Sequence, residues 1–162
     1  MTVVWVALPV VTASADSPAP AGSKPSQIAR AICETKAITE IDDAVGLQAR
    51  VSTPSWKDHL YSCAYRYKSG TIVLSVKELS SWDETYAYFG ALAKSLHETS
   101  AIYELGQGAF RVRNGSVVVR KDWKVLFVNI AGLPKEFGSP KTISGYVALT
   151  VAGVILDCWH GD

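Results

Sequence analysis

Cysteine, histidine and net charge are all scarce in this chain, and each shortage removes a class of function. Three cysteines (Cys33, Cys63, Cys158) and three histidines (His59, His97, His160) are spread over 162 residues. None of them has the close spacing of a zinc or CxxC redox motif, which disfavours a metal centre against a structural disulfide. Sixteen Lys and Arg against fifteen Asp and Glu leave a formal charge of +1, unlike the strongly basic face of a nucleic-acid binder. There is no Gly-x-Ser-x-Gly elbow, no glycine loop opening a helix beneath a phosphate, and no His-Glu-x-x-His. Without these, no catalytic group and no cofactor is implied. A membrane-spanning helix needs roughly 20 apolar residues, and the apolar stretch over residues 146–156 is about half that.

What is present begins at the N-terminus. Residues 3–11 are apolar except for Pro9, and Ala13-Ser14-Ala15 matches the small-residue pattern of a cleavage site. Residues 1–15 therefore read as an export signal cleaved before Asp16, although no Lys or Arg precedes Lys24. Residues 16–25 (DSPAPAGSKP) have no apolar period and read as a linker. Residues 26–162 then form one domain, large enough for a full core without depending on disulfides. In an oxidising compartment two of the three cysteines pair and one is left over.

Pro25 suits the first turn of a helix, and Ile28, Ala31 and Ile32 give it an apolar side as far as about Thr35. Thr39 with Asp42 resembles a capping box and Gly46 a C-terminal stop, predicting a second helix between them. Residues 60–67 and 71–78 are β-rich runs joined by Lys68-Ser69-Gly70, a three-residue hairpin loop ending in glycine. That loop length sets Ile72, Leu74 and Val76 beside Leu60 and Ala64, and puts Tyr61, Cys63, Tyr65 and Tyr67 on the opposite face. Ser81 and Glu84 cap a long helix to about Glu98, whose buried side is Trp82, Tyr86, Phe89, Ala93 and Leu96.

Strands follow at 101–105, 109–113, 116–121 and 125–130. Asn114-Gly115 marks a two-residue hairpin loop that places Phe110, Val112, Val117 and Val119 on one face and Arg111, Arg113 and Arg120 on the other. The strand at 125–130 is apolar on both faces and reads as central. Residues 142–159 carry Ala148, Val151, Ala152 and Ile155 at helical spacing and read as a buried C-terminal helix. Phe89, Phe110, Val117, Val119, Leu126 and Val128 are expected in a single core. The expected class is α+β: an antiparallel β-sheet with N-terminal, middle and C-terminal helices packed against it.

Four short segments resemble a family of small secreted and lipid-anchored actinobacterial proteins of unknown function. They are Cys33 with Ile38-Thr39 and Ala44-Val45-Gly46, the Cys63-Ala64-Tyr65 strand, Leu105-Gly106-Gln107-Gly108-Ala109-Phe110, and Val118-Val119-Arg120-Lys121. The resemblance spans roughly residues 30–158 and implies a Mog1/PsbP-like sandwich without enzymatic activity. The chain departs from the lipid-anchored members in lacking a leader cysteine, and Cys158 is an addition. Cys33–Cys63 is the expected disulfide, tying the first helix to the tyrosine-bearing face of the hairpin. Cys158 is then a buried free thiol at the end of the last helix.

Two regions offer contact surfaces. Trp56 sits among turn residues at 52–59, and an exposed loop Trp concentrates binding energy. Arg111, Arg113 and Arg120, on the register above, make a basic face suited to an anionic partner such as phospholipid or an acidic polymer. The sequence therefore reads as a secreted or envelope-associated, non-catalytic module that binds a protein or envelope component. The alternative is a carrier holding a lipid or other apolar molecule in a cavity between sheet and helices.

Overall fold

Eight strands hydrogen-bond into one antiparallel sheet, and helices pack on both of its faces, in a computed structural model that describes residues 19–159. The expected signal peptide lies outside the described residues. In chain order the elements are α1 (Gln27–Ala31), α2 (Thr35–Val45), β1 (Arg50–Val51), β2 (Ser55–Lys57), β3 (Leu60–Tyr67), β4 (Gly70–Glu78) and α3 (Trp82–Ser95). They continue as β5 (Glu98–Ile102), β6 (Gly108–Val112), β7 (Val117–Lys121), β8 (Lys124–Gly132), β9 (Glu136–Phe137), β10 (Thr142–Ile143) and α4 (Ser144–Cys158). The sheet order is β1-β3-β4-β8-β7-β6-β5, with β2 also on β3, and β9 and β10 form a separate two-stranded arm. The expected α+β class is the observed one, β8 is interior, and the C-terminal segment is helical.

Both hairpin registers differ from expectation by one residue, in opposite ways. Tyr67 pairs with Gly70, so the β3–β4 loop is Lys68-Ser69 alone and Gly70 belongs to the ladder. Cys63 then faces Leu74 and Tyr65 faces Ile72. The tyrosines therefore share the core side with Ile72, Leu74 and Val76 instead of opposing it. At the second hairpin the loop is longer than expected. The Val112 amide donates to the Ser116 carbonyl (3.0 Å), and the Gly115 amide donates to the Val112 carbonyl (2.9 Å). Gly115 takes φ +88° at the bulge position of a three-residue loop, while Asn114 uses its side chain to accept from the Ser116 amide.

That slip moves every side chain on one strand to the other face. Phe110 now opposes Val118, and Ala109 opposes Val119. The single core expected from sequence is in fact two. Val117, Val119, Leu126 and Val128 lie under α1, α2 and α4 with Tyr65, Ile72, Val151 and Ile155. Phe110, Val112, Val118 and Val125 lie on the reverse face, covered by Phe89, Leu92 and Leu96 of α3.

Helix ends show which local signals acted. Ser81 Oγ accepts from the Glu84 amide at 3.2 Å, and Glu84 returns a bond to the Ser80 amide at 2.8 Å, a capping arrangement as expected. Helix α3 presents Thr85, Phe89 and Leu92 inward; Trp82 and Tyr86 are exposed, so that part of the expected buried stripe is wrong. Helix α2 starts at Thr35, earlier than expected, and Thr39 is interior, with its hydroxyl on the Thr35 carbonyl at 3.0 Å. Asp42 instead accepts from the Ala49 amide at 3.1 Å, beyond the left-handed Gly46 cap.

The Cys33–Cys63 disulfide is present, with Cα atoms 6.1 Å apart. Beside it, the Tyr65 hydroxyl donates to the Ile32 carbonyl at 2.6 Å, so α1 is fastened to β3 twice. Burial pushes the Tyr65 and Tyr67 hydroxyls well above the ordinary phenol range. Cys158 is free as expected but half-buried rather than buried.

Candidate functional site

The side chains singled out as a contact surface fall in three separate places. Trp56 lies on β2 at one edge of the sheet, not in a loop. Its indole N–H donates to the Ser23 carbonyl at 3.1 Å, and its ring meets His59 edge-on at 5.7 Å. Trp56 thus packs the segment ahead of α1 against the edge. Arg120 is on the α3 face, largely buried, with its guanidinium over the rings of Tyr86 (4.4 Å) and Phe89 (5.8 Å). Arg111, at an odd offset from Arg120 once the register is corrected, faces the α4 side. The three arginines do not share a face.

Arg111 and Arg113 instead open onto a cleft of about 930 Å³ at the start of α4. One wall is the β6–β7 loop, held rigidly because Ser116, fully buried, accepts from the Ile130 amide at 2.9 Å. The opposite wall is the arm of β9 and β10. Ser144 binds that arm to the helix: its amide donates to the Lys135 carbonyl at 3.0 Å and its hydroxyl to that of Pro134. Ile130, Leu133 and Ile143 supply apolar surface inside.

Two glycines set how closely these walls meet. A Cβ on Gly115 would lie 3.0 Å from Gly145 Cα, so the loop touches the first turn of α4 backbone to backbone. A Cβ on Gly145 would lie 3.1 Å from Arg111 Nη1. The Arg111 guanidinium therefore rests against the first turn of the helix, in space that any side chain at 145 would claim.

The electrostatics of the cleft are one-sided. Arg111, Arg113, Lys135 and Lys141 line it with Glu136 as the only carboxylate among the described lining residues. None of the four cationic side chains donates a hydrogen bond to, or forms an ion pair with, another described residue. Helix α4 begins without a side-chain cap and without an acidic residue in its first turn. Its first turn carries the positive end of the helix dipole; Ser144, Gly145 and Val147 are buried there, and the Ser144 amide is already taken by the Lys135 carbonyl. The hydroxyls nearby are engaged: Thr99 donates to the Arg111 carbonyl at 3.0 Å, and Ser144 to Pro134. The cleft therefore carries an excess of positive charge, with the Thr99 and Ser144 hydroxyls already engaged.

Of this site the sequence pointed to Arg111 and Arg113. Lys135, Lys141 and the part played by the start of α4 were missed, since no element was expected between the strand at 125–130 and the helix at 142–159. The missed signal was a helix opening on Ser144-Gly145 with no acid in its first turn. Among the described residues no three His, Cys, Asp or Glu side chains gather as a metal site, and no helix is long and apolar enough to cross a membrane. No family model matches the chain, and no curated protein or solved structure matches it either.

Proposed function

We propose that this chain is an exported, non-catalytic binding module, and that the cleft at the start of α4 receives a ligand bearing negative charge. The observation that carries this reading is Arg111. Its guanidinium lies against the positive end of a helix that has no side-chain cap, and three further cations share the cleft with a single carboxylate, Glu136. A cation placed there is unfavourable by about 0.3–1 kcal/mol, and an anion beside the guanidinium offsets that cost. Export is supported by the Cys33–Cys63 disulfide, which suits an oxidising compartment, and by the apolar leader with its Ala13-Ser14-Ala15 site. The space between sheet and helices, where the alternative reading put an apolar cargo, is occupied by Val119, Leu126, Val128, Val151 and Ile155. This packing supports placing the ligand in the cleft rather than in that layer.

The test is a two-dimensional amide NMR titration of the secreted protein with inorganic phosphate and, separately, with octanoate. The Gly115 and Gly145 resonances should move with at least one of them, less so at high salt, and not at all in an Arg111→Glu/Lys141→Glu double variant. Silence of both resonances toward both anions would remove the cleft as the site. A chemically altered ligand recovered after incubation would end the non-catalytic part of the reading.

A further inference from the structure

We infer that the ligand of this cleft is an anionic amphiphile: a single acyl or alkyl chain ending in a carboxylate or a phosphate monoester. This rests on the reading of the cleft as an anion site and adds what lies beyond the charge. Three observations converge. The volume, about 930 Å³, is at the upper end of what small-molecule sites enclose, and a bare oxyanion fills only a small part of it. The surface that remains is mainly apolar, from Ile130, Leu133 and Ile143. Finally, the apolar lining continues out of the mouth. Ile143, part of that lining, is 58% exposed, so a large apolar side chain stands in water at the mouth.

The geometry orders the ligand. The head group sits where Arg111 meets the first turn of α4, with Arg113, Lys135 and Lys141 within the same cleft. The chain then lies over Leu133 and leaves past Ile143. Charge complementarity fixes which end goes in. A neutral lipid would leave four cations without partners, and a small hydrophilic anion would leave Ile143 and Leu133 wet.

The experiment is a calorimetric titration with hexanoate, octanoate, decanoate and dodecanoate, each below its micelle concentration. Acetate, inorganic phosphate, dodecyl phosphate and methyl dodecanoate complete the set. Affinity should rise with chain length, by up to about fourfold per methylene that becomes buried. Acetate and inorganic phosphate should bind far more weakly than dodecanoate, and the uncharged ester at least about tenfold more weakly. Comparing dodecanoate with dodecyl phosphate tells which head group is preferred, and either preference supports the inference.

Ile143→Ala, which removes the apolar surface without adding a capping hydroxyl, should flatten the chain-length series. Gly145→Ala, favourable for the helix itself, should displace Arg111 and weaken every charged probe. Thermal melts of both variants confirm that they are folded. A flat series, with acetate or phosphate as tight as dodecanoate, would overturn the amphiphile while leaving the anion site standing. An ester that binds as tightly as the acid would overturn both, and so would the absence of binding by every probe.

Discussion

Arg120 holds its guanidinium over the ring of Tyr86, 4.4 Å from the centroid, and donates through Nη2 to the Gln107 carbonyl. Gln107 in turn brackets the β7–β8 turn: its side chain accepts from the Asp122 amide at 2.7 Å and donates to the Asp122 carboxylate at 3.1 Å. Gly106 permits this contact. Its φ is +61°, and a Cβ there would stand 2.6 Å from Val119 Cγ1 and 2.8 Å from the Arg120 carbonyl. The Gly-Gln-Gly segment is therefore a seat for Arg120 and for the neighbouring turn, not a nucleotide loop.

Replacing Arg120 with Ala should cost about 2–4 kcal/mol, the sum of a desolvated cation–π contact and a charge-assisted hydrogen bond. Arg120→Lys should recover only part of this, because an ammonium lacks the planar face that stacks on Tyr86. Urea unfolding of the two variants measures the difference. Equal stability of wild type and Arg120→Ala would mean that the stack is not formed in solution.

Trp56 is expected to act on the N-terminal segment rather than on a partner. Trp56→Phe keeps the ring but removes the donor to the Ser23 carbonyl. The adjacent Ala21 amide, which bonds the Leu79 carbonyl at 3.2 Å, should then exchange its hydrogen faster. Global stability should fall by no more than about 1 kcal/mol. Unchanged exchange at Ala21 would show that the indole does not hold this segment.

The two sides of α3 make contrasting predictions for its aromatics. Phe89 packs edge-on against Phe110, with centroids 5.0 Å apart, yet it is only half-buried. Phe89→Ala should cost about 2–3 kcal/mol, short of the full-core value, because part of the ring is already wet. Trp82→Ala, on the exposed side of the same helix, should cost under about 1 kcal/mol. Thermal denaturation of the pair checks this, and a reversed ranking would turn α3 over.

How far the sequence could be read follows from which signals are local. The Ser81/Glu84 cap, the Gly46 stop and the Val/Ile-rich centre of β8 each depend on neighbours within a few residues, and each was legible. The sheet faces were not, because they hang on loop length. Lys68-Ser69-Gly70 and Asn114-Gly115 each admit two- and three-residue loops. In the structure Gly70 pairs in the ladder, and Gly115 forms the bulge. One residue at each turn exchanged the faces of the tyrosines and separated Arg111 from Arg120. The cleft was half legible for the same reason: Lys135 and Lys141 reach it only through the β9–β10 arm, whose placement depends on Ser144.

The disulfide should be worth about 3–4 kcal/mol in the chain-entropy account, given 30 residues of separation between Cys33 and Cys63. A Cys33→Ser/Cys63→Ser variant should unfold at correspondingly lower urea, with the Tyr65–Ile32 bond keeping α1 near β3. Peptide mapping without reductant is the direct check on connectivity. A link from Cys158 to either partner would overturn it.

Cys158 gives a prediction with a pH sign. Its Sγ lies 3.3 Å from Glu40 Oε2, and burial first, then that carboxylate, push its thiol above the ordinary value. The thiolate is the reactive form, so alkylation by iodoacetamide at pH 8 should be slower than for an exposed cysteine and should accelerate only at more alkaline pH. Glu40→Gln removes the negative charge, lowers the thiol pKa, and should speed the reaction at fixed pH. Linkage runs the same way. Between the unfolded thiol's pKa and the raised folded one, the unfolded chain has lost its proton while the folded chain keeps it, so stability falls as pH climbs through that window. Cys158→Ser should abolish this part of the pH dependence. Alkylation as fast as that of free cysteine at pH 8, with no response to Glu40→Gln, would show that the thiol does not face Glu40.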